Sequence, residues 1–191
     1  MIFGFDFDNT LINYDKVFYD LAVKKKLVNK NNRKNKESIK KTLFKKKKIK
    51  EWIELQSEVY SKGINKAKPN KVLISTLKFL KKKKIKFYVV SHKTKFPYYG
   101  EKINLHKISR KWLDENIFKK SHGLGKGNYY FEKTKKKKIE RIKKLKISHF
   151  IDDLEEIIDL MPSTTNGILY KNKSFKINQI KKIIDKKQII N

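Results

Sequence analysis

Residues 2–11 read Ile-Phe-Gly-Phe-Asp-Phe-Asp-Asn-Thr-Leu, an apolar segment into which two carboxylates, Asp6 and Asp8, are set one residue apart. Ile2, Phe3, Phe5 and Phe7 make both faces of the segment apolar, the pattern of a buried central strand in a parallel sheet. Side chains alternate along a strand, so Asp6 and Asp8 point the same way if the strand persists, and Asn9 and Thr10 mark where it ends. The plainer alternative is a polar turn closing an edge strand. An ionised aspartate in so apolar a setting is costly unless a metal, a cation or a hydrogen bond compensates it, so a functional site explains the pair more economically.

Downstream, apolar periodicity alternates between helix and strand. Val17, Phe18, Leu21, Ala22 and Val28 mark a helix over 14–28, and Ile39, Leu43, Ile53, Leu55 and Val59 mark a second helical stretch. Residues 29–36 have no apolar member and read as an exposed loop. After Pro69 comes a helix with Val72, Leu73, Leu77 and Leu80, then a strand over 85–90 with Ser91 at its end. A helix around 108–113, a glycine-bearing turn over 123–127 and an aromatic strand over 129–131 follow. Thr134 is an expected N-cap for a helix over 135–145. A strand over 147–151 then runs into Asp152 and Asp153, and a helix near 154–160, a strand over 167–170 and a helix near 177–186 complete the order. Strands separated by helices imply an α/β fold, Rossmann-like, with a parallel sheet and helices on both faces. Trp52 and Trp112 read as packing anchors, and His149 as a side chain packed beside its strand.

Length and composition narrow the function classes. The 191 residues suit one core with room for a small insertion, and carry a net charge of +31. That charge raises nucleic acid as a partner, yet only Arg33, Arg110 and Arg141 are arginine, so lysine supplies 47 of the 50 basic side chains. Arginine is the preferred group for bidentate phosphate recognition, so the charge reads more readily as compositional bias than as a selected nucleic-acid surface. The sequence has no cysteine, which excludes thiolate metal sites and cysteine nucleophiles. No apolar run approaches a membrane span, and a cytoplasmic enzyme is the expectation.

In a parallel sheet, functional groups collect beyond the carboxyl ends of the strands. Three strand ends here supply Asp6 with Asp8, Ser91, and Asp152 with Asp153. Four clustered carboxylates need a shared cation, and an oxygen-only ligand set suits Mg²⁺. Lys133, Lys135, Lys136, Lys137 and Lys138 lie at the start of the helix before the last acidic pair, where a lysine would reach the same edge.

The segment Asp6-Phe-Asp-Asn-Thr-Leu, the segment Ser91-His-Lys-Thr, a downstream lysine and the segment His149-Phe-Ile-Asp-Asp-Leu occur in the order of the four motifs of the haloacid dehalogenase-like superfamily. The chain resembles its small bacterial hydrolases over residues 6–153. The resemblance implies that Asp6 is a nucleophile forming an aspartyl-phosphate and that Asp8 is the general acid and base. It implies Mg²⁺ held by the Asp6 carboxylate, the Asp8 carbonyl and Asp152, with Asp153 beside them. Ser91 would bind a phosphoryl oxygen, and Asn9, Thr10 and His92 would face the substrate. The resemblance aligns Lys138 with the remaining motif, with Lys133 and Lys135 as alternatives. It further implies a core of residues 1–12 and 69–191, a small helical cap over 13–68, and a lesser lid over 95–127. The expected activity is Mg²⁺-dependent hydrolysis of a small phosphomonoester such as a sugar phosphate or nucleotide. The alternatives are a polynucleotide-end phosphatase and a basic nucleic-acid-binding protein on the same fold.

Overall fold

A computed structural model describes residues 1–171 and 175–188. Residues 172–174 and 189–191 of the expected core lie outside the described residues. The elements run β1 (Ile2–Phe5), β2 (Ile12–Asn13), α1 (Asp15–Lys24), α2 (Lys36–Lys45), α3 (Ile49–Tyr60), β3 (Lys68–Pro69) and α4 (Lys71–Lys82). They continue with β4 (Lys86–His92), α5 (Leu105–Asn116), β5 (Tyr129–Glu132), α6 (Lys135–Lys144), β6 (His149–Asp152), α7 (Glu155–Asp159), β7 (Asn166–Leu169) and α8 (Ile177–Gln188).

Five strands form one parallel sheet in the order β5-β4-β1-β6-β7. β1 is central because it can be buried on both sides. Phe3 and Phe5 enter a large core with Leu73, Leu77 and Leu80 of α4, Leu113 of α5 and Ile180 of α8. Val90, Ile142 of α6, Ile147 and Phe150 form a separate cluster. Gly4 has its reason in this packing, because a Cβ there would collide with the Phe150 ring. Burial of each phenylalanine contributes about 1.5–3 kcal/mol relative to an exposed ring. This is the α/β, Rossmann-like architecture expected from the alternation.

The chain leaves β1, builds β4 and β5 on one side, and then crosses to β6 and β7 on the other. The carboxyl end of β1, between β4 and β6, is therefore the topological switch point where such sheets place ligands. A second, two-stranded antiparallel sheet pairs Ile12 with Pro69 and Asn13 with Lys68. Asn70 fastens this stem: its N–H donates to the Leu11 carbonyl at 2.9 Å, and its side-chain amide donates to the Thr10 carbonyl at 3.1 Å. The chain passes out through β2, forms α1, α2, α3 and a short 3₁₀ turn (Lys62–Lys66), and returns through β3. Phe18 of α1 stacks on Trp52 of α3 at 5.3 Å, and Trp112 meets Phe7 edge-on at 5.7 Å, so both tryptophans are packing anchors.

Two local expectations are corrected. β1 stops at Phe5, so Asp6 and Asp8 sit in the turn beyond it and not in a continuing strand, although the Asp6 N–H still donates to the Ile151 carbonyl at 2.8 Å. The helical stretch through 39–59 is two helices, broken where Lys47 takes a positive φ of 55°. The glycine-bearing turn lies by the start of β5, with Gly125 near Lys81, away from the strand ends that carry the acids.

Candidate active site

The order of the three central strands assembles the site. β4 and β6 flank β1, so Ser91 near the end of β4 and Asp152 at the end of β6 approach Asp6 from opposite sides. Ser91 Oγ donates to Asp6 Oδ1 at 2.8 Å. Lys138 Nζ donates to the same oxygen at 2.6 Å and to Asp152 Oδ2 at 2.5 Å. Thr134 caps α6 by accepting from the Lys137 N–H at 3.1 Å, which starts the helix so that Lys138 lies in its first turn. Lys138 is only 1% exposed, and Asp152 is completely buried. The other Asp152 oxygen accepts from the Leu154 N–H at 3.0 Å.

Asp8 is held differently. Lys93 Nζ donates to its two oxygens at 2.9 and 2.6 Å, and the same ammonium lies 5.2 Å from the Phe7 ring and 5.1 Å from the Tyr60 ring. His106 of α5 donates from Nε2 to the Lys93 carbonyl at 2.8 Å, anchoring the lysine's backbone. Tyr14 lies beside this pair. Burial, and after it the Asp8 charge, push its hydroxyl well above the ordinary tyrosine range.

Asp6, Asp8, Asn9, Ser91, His92, Lys138 and Asp153 line one cleft of about 210 Å³. Thr10 is not among its lining residues: its side chain is completely buried and its carbonyl serves the β2–β3 stem. Asp152 stands behind the cleft and reaches it through Lys138. Of the candidate lysines, Lys138 alone bonds Asp6. Lys135 also lines the cleft but pairs with Glu156 at 2.6 Å, while Lys133, Lys136 and Lys137 are exposed. His92 Nε2 donates to the Lys133 carbonyl at 3.2 Å, tying the end of β4 to the start of α6, and burial pulls its pKa below the usual histidine value. His149 stacks on Phe3 at 4.9 Å and takes no part in the cleft.

The acids are crowded. Asp6, Asp152 and Asp153 each offer an oxygen within 4.8 Å of the others, a spacing and an all-carboxylate donor set that fit a hard divalent cation. Burial first, then the Asp6 charge, push Asp152 and Asp153 above the ordinary aspartate range, with Lys138 opposing the shift at both and Lys36 at Asp153. Burial works against the Lys138 ammonium, but Asp6 and Asp152 outweigh it and hold that lysine protonated.

Lys93, like His92, follows Ser91 and reads from the sequence as a side chain that could touch the substrate; the structure places its ammonium on Asp8. Lys36 escaped the sequence reading as a site residue. Its loop looked exposed, yet it begins α2 and lines the cleft.

No protein-family model matches the chain, and no curated protein matches it. Among solved structures, the chain is similar to a haloacid dehalogenase-superfamily hydrolase from Ehrlichia chaffeensis, with a TM-score of 0.53 and 17% sequence identity, covering 100% of this chain and 97% of that one. A likeness spanning both chains at so low an identity speaks to architecture. The protein has a Rossmann-like α/β fold of the haloacid dehalogenase kind.

Proposed function

We propose that the protein is a Mg²⁺-dependent phosphomonoester hydrolase working through an aspartyl-phosphate on Asp6. The observation that carries this reading is the bridging of Asp6 and Asp152 by the buried Lys138, with Ser91 on the same Asp6 oxygen and Asp8 two residues away. Ser91 and Lys138 fix one oxygen of the nucleophile and supply positive charge where an anionic substrate would otherwise be repelled.

In the first step an Asp6 oxygen attacks phosphorus, the bond from phosphorus to the leaving oxygen breaks, and Asp8 gives that oxygen a proton. In the second, water attacks the phosphoryl group, Asp8 takes its proton, and the bond to Asp6 breaks to restore the carboxylate. Lys93 holds Asp8 in place between the two proton transfers. Asp6, Asp152, Asp153 and the Asp8 carbonyl would hold Mg²⁺, which when bound neutralises phosphoryl charge as a Lewis acid. The helical segment between β2 and β3 serves as a cap and contributes Lys36, Gln56, Ser57 and Tyr60 to the cleft. Phosphate release from an aryl phosphate and a panel of phosphorylated metabolites, with Mg²⁺ or with a chelator, tests the assignment. Release from none of them with Mg²⁺ present removes it.

A further inference from the structure

One wall of the cleft carries a cation that the hydrolytic chemistry leaves unassigned. Lys36 is the first residue of α2, with Asn35 as N-cap, and its backbone N–H donates to Asp15 Oδ1 at 3.0 Å, which ties α2 to the first residue of α1. Its ammonium lies 5.8 Å from the Tyr60 ring and makes no ion pair within 4.0 Å among the described residues. Gln56 stands one helical turn before Tyr60 on α3, also lines the cleft, and its amide makes no hydrogen bond among the described residues. An amide with donors and an acceptor unspent, beside an ammonium that against its burial Tyr60, Asp153 and Asp8 keep charged but that no described carboxylate holds within 4.0 Å, is a wall suited to a polar, negatively charged group.

Charge points the same way. Lys93 and Lys138 are spent in ion pairs with the cleft acids and Lys135 in one with Glu156, which leaves Lys36 as the lysine of the cleft wall with no ion pair within 4.0 Å among the described residues. We propose that Lys36, Gln56 and Tyr60 form a subsite for a second anionic group, so that the preferred substrate is a phosphomonoester whose leaving group carries a carboxylate or another phosphate. The assignment of that group to the leaving half rests on the hydrolase reading above. The anion subsite does not depend on it.

Calorimetric titration with non-hydrolysable probes in the presence of Mg²⁺ tests the subsite without turnover. The probes are phosphonopropionate and phosphonobutyrate, the alkylphosphonates of matching length, and propylene bisphosphonate. Wild-type protein should bind at least one doubly anionic probe about tenfold or more tightly than its alkyl partner, the size expected for one charge-assisted contact. The advantage should disappear in Lys36→Met and persist in Lys36→Arg. Whether carboxylate or bisphosphonate gains more tells which anion the subsite takes. Equal affinities within every pair for the wild type, or an advantage that survives in Lys36→Met, overturns the proposal. A protein that shows the Lys36-dependent advantage but releases phosphate from no ester keeps the subsite and loses the hydrolase reading.

Discussion

Lys93 grips Asp8 by both carboxylate oxygens, at 2.6 and 2.9 Å, with the lysine side chain 3% exposed. A bidentate ion pair of this kind fixes the acid's plane and position where a flexible side chain beyond the end of β1 would otherwise sample several rotamers. Lys93→Met should therefore lower kcat by about 10²-fold, within the range a positioned general acid contributes. The change should fall mainly on kcat and not on KM, and steady-state kinetics on one aryl phosphate would show it. A variant with wild-type kcat contradicts the positioning role.

Lys138 is the only cation bonded to Asp6 and Asp152 among the described residues. Lys138→Met leaves two buried carboxylates without their partner, and removing one member of a buried ionic group costs about 3–5 kcal/mol. Urea denaturation should register the loss in metal-free protein. Added Mg²⁺ should recover part of it, since the ion binds the folded state alone.

Asp152 and Asp153 hold their protons more tightly in the folded protein than in the unfolded chain. The folded state thus binds more protons, and without metal its stability falls as pH climbs from the ordinary aspartate range toward the raised values. Lys138 does not counter this trend, because its raised pKa affects stability only on the alkaline side, and His92, whose lowered pKa works the other way over the histidine range, is one group against two raised acids. Denaturation in chelator should show lower stability at about pH 8 than at about pH 5, and saturating Mg²⁺ should flatten the slope. A metal-free stability that rises over that interval contradicts the crowding of the acids.

Four helices are followed by lysines in left-handed backbone: Lys26, Lys47, Lys84 and Lys146, with φ between 51° and 56°. Glycine is the usual residue one position past a helix C-cap, because a side chain there strains the backbone. Replacing any one of the four by glycine should stabilise the protein by up to about 1 kcal/mol, raising Tm by about 2–4 °C in a domain of this size. Lysine at positions that favour glycine also fits a charge of +31 arising from compositional bias. A filter-binding titration against RNA and DNA at physiological salt should then show no appreciable affinity.

The parallel sheet was legible because its central strands are continuous apolar runs closed by polar residues, Phe3 to Asp6 and Phe150 to Asp152. The three strand ends carrying Asp6, Ser91 and Asp152 could be read for the same reason. The break at Lys47 was not legible, since nothing distinguishes a lysine that takes a positive φ from its neighbours in the run 45–48. Lys36 was hidden in the same way: one lysine among 47 announces its direction only once α2 is docked on α1 and α3. Thr10 looked like a substrate contact from its place in the first motif, yet the turn after Asn9 buries it and leaves its carbonyl to Asn70.

The central claim is that Asp6 carries the phosphoryl group. Asp6→Asn removes one charge from the crowded acids while Lys138 keeps its bond to Asp152, so this variant should remain folded and lose turnover through chemistry. Rapid acid quench of a single turnover with Mg²⁺, followed by mass spectrometry of the peptide that contains Asp6, measures the intermediate directly. Wild-type protein should show a phosphoryl group on Asp6 that Asp6→Asn lacks. A phosphoryl group on another residue, or Mg²⁺-dependent turnover retained in Asp6→Asn, would contradict the account.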